Sequence, residues 1–150
     1  WNMFTISRDG EIYQHFDPKY YSKYIGDKNG NKLAITIVLE NMGSLIKLDD
    51  DRFVNWLNEP CEKKKVVERK WVGYTYWENI PEIQLKKTAE LCSKLCNDFV
   101  IPKTCIEFRH YHKDIKKFKG IVFRGNYFDD SGDLNPLFNI NKFSEMLDDE

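Results

Sequence analysis

A charge imbalance is the first thing this chain lacks. Its 23 Lys and Arg residues stand against 24 Asp and Glu, leaving a net charge of -1. Nucleic-acid binding calls for a basic face, so no nucleic-acid partner is expected. Long apolar runs are missing too. None approaches the roughly 20 residues that cross a bilayer, so no membrane span is expected. Trp1 to Ser7 hold no basic segment followed by an apolar core, so no secretory leader is legible. The chain opens on Trp1 rather than Met, which leaves its natural start unknown. Cysteine is sparse: Cys61, Cys92, Cys96 and Cys105, with no C-x-x-C pair among them. That spacing argues against a zinc knuckle or a thioredoxin-type site. Small buried hydrophobes in a reducing compartment are the expected use of these thiols, with Cys92 and Cys96 on one helix face.

What is present fits one packed domain spanning residues 1–150. Hydrophobic residues make up 41% of the chain and aromatics 15%, enough for a core and too much for disorder. Phe4–Ser7 and Ile12–Gln14 read as a hairpin around Asp9-Gly10, a pair that tolerates positive φ. Leu33–Leu39 is β-branched and nearly continuous in apolar character, as a central strand covered on both faces would be. The acids Asp49-Asp50-Asp51 suggest the start of a short helix through Asn58. Lys63-Lys64-Lys65 reads as a solvated loop. Arg69–Trp77 reads as extended.

Pro81–Phe99 is the clearest helix, with Leu85, Thr88, Ala89, Cys92, Leu95, Cys96 and Phe99 on one stripe. Cys105–Phe108 and Gly120–Phe123 are further strand candidates, and Asn141–Leu147 a terminal helix. Strands alternate with helices, so the expected class is mixed α/β: a central sheet flanked by helices.

Four segments in order resemble the zinc-dependent N-acetylmuramoyl-L-alanine amidases, the family of the peptidoglycan recognition proteins and amidase-type phage lysozymes. They are the hairpin Phe4-Thr5-Ile6-Ser7-Arg8-Asp9-Gly10-Glu11-Ile12-Tyr13-Gln14; the strand Ala34-Ile35-Thr36-Ile37-Val38-Leu39-Glu40-Asn41; the Pro81–Phe99 helix with Ile101-Pro102; and Gly120-Ile121-Val122-Phe123-Arg124-Gly125-Asn126 followed by Asp133-Leu134-Asn135-Pro136-Leu137-Phe138. The resemblance implies a zinc ion whose bound water attacks the muramoyl-L-alanine amide. Carried over residue by residue, it implies a degenerate centre. The first ligand's strand would lie upstream of Trp1, so the domain lacks that strand or is cut from a longer chain. The second ligand, a His, falls on Arg124, whose guanidinium has no lone pair to give. The third falls on Asp133, which can ligate. The catalytic Glu falls on Val38, which can neither move a proton nor position water. Glu40, two residues on, is a candidate displaced acid, although a polar strand end is the plainer reading.

Arg124 and Asp133 are expected to pair where the metal would sit. Tyr20, Tyr21 and Tyr24, with Arg124 and Asn126, are the candidate ligand-binding residues, since aromatics stack on sugar faces. Trp71, Tyr74, Tyr76 and Trp77 form a second aromatic group, read as half core and half surface. His110 and His112 are a minimal metal pair if extended, and His15 reads as a surface residue.

These readings point to a pseudo-amidase that recognises peptidoglycan fragments or joins other protein subunits, with no cofactor. Its Lys-, Asn-, Ile- and Asp-rich composition suits a phage or virus, in the virion or the host cytoplasm. The alternatives are an active zinc amidase with an unorthodox ligand set and a pure scaffold domain.

Overall fold

The computed structural model describes residues 1–128 and 132–149. Strands β1 (Phe4–Ile6) and β2 (Ile12–Gln14) form the expected antiparallel hairpin. Its turn needs a glycine: Gly10 has φ +89°, and a Cβ there would meet the Ile83 side chain at 2.9 Å. A short helix α1 (Gly30–Leu33) precedes β3 (Ile37–Leu39), which pairs in parallel with β1. The order β2-β1-β3 corrects one expectation, because the central strand is β1 and the Leu33–Leu39 segment ends as an edge strand. Its first half is lost to the end of α1 at Leu33 and to irregular chain over residues 34–36. β3 itself is half-buried throughout, so it is not covered on both faces.

A second sheet follows, built from β4 (Ser44–Lys47), β5 (Phe53–Val54), β6 (Pro60–Cys61), β7 (Val66–Trp71) and β8 (Tyr74–Glu78) in the order β6-β5-β4-β8-β7. The helix expected over Asp49–Asn58 does not form. Asp51 and Asn58 both sit at φ 61°, turning the chain on either side of β5. Phe53 and Val54, aromatic and β-branched, are better strand than helix formers. The edges β6 and β7 are joined only by residues 62–65, with a single 3₁₀ turn over Lys63–Lys65. Four interstrand spacings of about 4.8 Å exceed what that linker can reach, so the sheet must curl. Leu45, Phe53 and Cys61 fill the curl, with Met42, Val66 and Tyr76 packed against them. Arg69–Trp77 is thus not one extended run: it turns at Val72-Gly73, so Trp71 pairs across from Tyr74.

Helix α2 (Glu82–Asp98) buries Leu85, Thr88, Ala89, Cys92, Leu95 and Cys96 as its spacing predicts, while Phe99 is exposed. Each fully buried Leu contributes about 1.5–3 kcal/mol. Leu91 and Leu95 press on Met3, Phe4 and Ile6 of the first sheet, and Leu85, Ala89 and Cys92 pack with Phe123, Phe138, Ile140, Phe143 and Leu147. Those last residues lead into or belong to α3 (Ile140–Asp149). The helix ends in a Schellman motif, with Ile101 N–H donating to the Cys96 carbonyl at 2.8 Å. Val100 holds the left-handed position at φ 55°, a place usually given to glycine.

Mixed α/β is therefore the class, with two sheets in place of the single one expected. Cys105–Phe108 and Gly120–Phe123 do not become strands, and they share only one parallel bridge, Cys105 to Ile121. The reason is local. The Asn126 side chain takes the Phe123 N–H at 2.7 Å, starting a 3₁₀ turn over Arg124–Asn126 where a ladder would have continued.

Candidate functional site

A cavity of about 500 Å³ opens where that pairing stops. Ile37 and Leu39 of β3 form one wall, Cys92 and Cys96 of α2 another, and Ile121 and Phe123 a third. Among the described residues no further strand pairs with β3, and apolar side chains line the cavity beside it.

Tyr24 and Arg124 line the cavity at one end. There the Arg124 guanidinium donates to the Asp133 carboxylate at 2.8 Å, the pairing anticipated from the sequence. Both side chains are about half exposed, 45% and 55%. Arg124 also lies over the Phe128 ring, 5.3 Å from its centroid. Tyr24 is near enough to feel both charges. Burial first, then the Asp133 carboxylate, push its hydroxyl pKa up, and Arg124 pulls it down. Three predicted residues thus meet at one rim: an aromatic hydroxyl, a guanidinium and a carboxylate.

The turn carrying Arg124 is held from behind. Asn126 is wholly buried, and its amide donates to the Phe108 and His110 carbonyls at 3.0 Å each. With its oxygen on Phe123 N–H, the side chain is committed to the backbone, so it positions Arg124 rather than facing a ligand. Gly125 cannot be enlarged, since a Cβ there would overlap the Asp133 carbonyl.

Other candidates lie apart. Val38 is half-buried on β3, on the face opposite Ile37 and Leu39. Glu40 is exposed, and its carboxylate accepts the Arg8 N–H at 3.3 Å. Tyr20 and Tyr21 are 60% and 55% exposed on the loop after β2, and Tyr20 is covered by Lys19, 5.2 Å from its ring centroid. Both His110 and His112 lean on the Phe108 ring, at 4.6 and 5.6 Å between centroids. His15 bonds Thr5 across the hairpin at 2.8 Å. The second aromatic group does not divide by face: Tyr74 and Tyr76 alternate onto one face of β8, yet Tyr74 is exposed while Tyr76 packs on the core, and Trp77 on the other face is buried. Cys92 is deeply buried and Cys105 partly so; burial raises both thiols, Cys105 to about 11.

One cluster escaped sequence reasoning. Glu78, at the end of β8, is 2% exposed and pairs with Arg8 of the β1–β2 turn at 3.0 Å. Its other oxygen accepts Met42 N–H at 2.7 Å. Arg8 also donates twice to Asn79, at 3.0 and 2.9 Å. Asn135 joins the closing segment to this hub through Asn41 and the Glu78 carbonyl, at 3.0 and 2.9 Å. The asparagines at 41, 79 and 135 were the only clue, and nothing in the sequence says that they converge.

The resemblance implies zinc, and the donors around Asp133 do not fit it. Its carboxylate is bonded to the Arg124 guanidinium, which cannot ligate. Among the described residues no group of three or more His, Cys, Asp and Glu side chains is placed to hold a metal ion. No helix among them is long and apolar enough to cross a membrane.

Comparison with known families finds the N-acetylmuramoyl-L-alanine amidase model over residues 2–120. No curated protein and no solved structure matches the chain. The matched stretch runs from β1 through both sheets and α2, and it stops short of Arg124 and Asp133. Covering well over half of the sequence, it settles the membership that the ordered segments suggested: the chain belongs to the N-acetylmuramoyl-L-alanine amidase family.

Proposed function

We propose that this domain is a catalytically degenerate amidase that recognises peptidoglycan fragments without cleaving them, as a module of a phage or viral protein. The observation that carries this reading is the Arg124–Asp133 ion pair. It occupies the two positions that the resemblance gives to metal ligands, and Arg124 cannot replace an imidazole there. Val38 at the position of the catalytic acid points the same way. What remains at the rim suits recognition. Tyr24 offers a ring face and a hydroxyl, and Arg124 offers a fork matched to the carboxylates of stem peptides. Tyr20 and Tyr21 supply further exposed rings on the same loop as Tyr24.

The test combines three measurements on purified protein: zinc content, muropeptide binding by calorimetry, and muropeptide cleavage by chromatography. Saturable binding without stoichiometric zinc and without cleavage is the expected result. Stoichiometric zinc with release of free stem peptide would establish the active-amidase alternative. Neither binding nor cleavage would leave a scaffold domain.

A further inference from the structure

The cavity's far end carries an inference independent of the rim at Arg124. Its interior is mainly apolar, and the hydroxyls of the two threonines on its wall are already bonded. Thr36 accepts Met3 N–H at 3.0 Å and bonds Ser22 at 3.0 Å. Thr88 donates to the Gln84 carbonyl at 2.7 Å. A saccharide or peptide placed inside would leave its own polar groups unpaired, which is costly. Water fares little better, because an ordered water needs two to four polar partners. A cavity of about 500 Å³ lies in the range of small-molecule sites and suits one slender apolar chain.

The two ends of the cavity differ in charge. Beside Tyr24, Arg124 is neutralised by Asp133, and Lys116, another lining residue, by Asp27 at 2.8 Å. At the other end the wall is made by Cys96, Val100, Pro102 and Lys119. A second, open recess of about 390 Å³ adjoins it there, sharing Cys96 and Val100–Pro102. Lys119 has no ion-pair partner among the described residues, and neither does Lys103, whose charge reaches the Cys96 thiol. Around them Val100 is 91% exposed, with Phe99 and Phe118 partly so. An apolar channel thus ends in exposed apolar residues and two uncompensated cations.

We propose that this cavity binds a single-chain fatty acid, the alkyl chain between β3 and α2 and the carboxylate at Lys103 and Lys119. The chain enters past Val100 and Phe118 and replaces the strand neighbour that β3 lacks. The lysines supply charge-assisted hydrogen bonds to the head, so the anion is preferred to an alcohol of equal length.

Titration calorimetry with palmitate, hexadecanol and phosphatidylglycerol vesicles tests this. Palmitate is expected to bind one-to-one and saturably, about tenfold more tightly than the alcohol, as one lost charge-assisted bond implies. The double variant Lys103→Glu, Lys119→Glu is expected to lose about a hundredfold or more in palmitate affinity with an unchanged circular dichroism spectrum. Cys96→Phe, which fills the channel, is expected to abolish binding; if it does not fold, the charge variant decides alone. No saturable palmitate binding, equal affinity for hexadecanol, an unaffected charge variant, or binding to vesicles alone would each overturn the proposal.

Discussion

Arg8–Glu78 and Arg124–Asp133 are both arginine–carboxylate pairs, and their relation to water is opposite. Arg8 and Glu78 meet at 3.0 Å with side-chain exposures of 22% and 3%. Arg124 and Asp133 meet at 2.8 Å with exposures of 45% and 55%. The first pair is locked by neighbours: Met42 N–H on Glu78, Asn79 on Arg8, and Asn135 on the Glu78 carbonyl. It ties the three-stranded sheet, the curled sheet and the closing segment to one point. The second pair ties the 3₁₀ turn at Arg124 to the start of the closing segment. A buried pair cannot lose one member cheaply, because the other is left charged and dry. An exposed pair can, because water replaces the partner. The Arg124–Asp133 pair is therefore the one the fold can spare.

Removing Glu78 tests the buried half most severely. Glu78→Ala strands the Arg8 guanidinium and the Met42 amide, and a loss of about 3–5 kcal/mol is expected in urea unfolding. A loss below about 1 kcal/mol would mean that water reaches the hub and that the two pairs are alike. Asn126→Ala comes next. Three hydrogen bonds to backbone groups go, two accepted by the Phe108 and His110 carbonyls and one donated by Phe123, and about 3 kcal/mol is expected. Unlike Glu78→Ala, it should also loosen Arg124, visible as a chemical-shift change in the Arg124 guanidinium signal.

The comparison explains what the sequence could and could not disclose. The β1–β2 hairpin was legible because Asp9-Gly10 is a local signal, and α2 because its stripe repeats with helical period. Arg124 opposite Asp133 was legible through the resemblance, since a cation standing where a ligand belongs invites the neighbouring acid. Glu78 was not, because its partner lies 70 residues away and an acid at a strand end reads as solvent-facing. Asn126 was misplaced for a related reason. A polar residue beside a site reads as part of it, and only the structure shows the amide turned inward to hold the loop. The same side chain hid the failure of Gly120–Phe123 as a strand: its β-branched composition is right, but Asn126 captures the N–H at the strand's end.

Arg124→Ala probes the exposed half, and its stability effect is small. Unfolding should shift by no more than about 1 kcal/mol, the value of a half-exposed pair. Muropeptide affinity should instead fall by about tenfold, as loss of a bidentate carboxylate contact implies. Full affinity in the variant would detach Arg124 from recognition. A large loss of stability would erase its contrast with Arg8.

The smallest effect belongs to a largely exposed cluster, and it fixes the far end of the comparison. Glu62, in the turn that closes the curled sheet, meets Lys64 at 2.8 Å and also bonds Lys65. Hydrogen bonds from both lysines, and then their charges, hold its carboxyl at about 2, below the ordinary 4.5. The sign follows from that depression. The folded state binds the proton less readily than the unfolded chain, so the contribution is complete above pH 4.5 and fades as the pH falls toward 2. Carbon-detected titration of the Glu62 carboxyl should give a midpoint near 2, and Lys64→Ala with Lys65→Ala should return it toward 4.5. Water around the turn screens whatever this shift adds to stability, so the double variant should leave the urea midpoint nearly unmoved. A midpoint that fell as far as Glu78→Ala lowers it would show that the turn closing β6 to β7 depends on its charges rather than on the buried Leu45, Phe53 and Cys61 beneath.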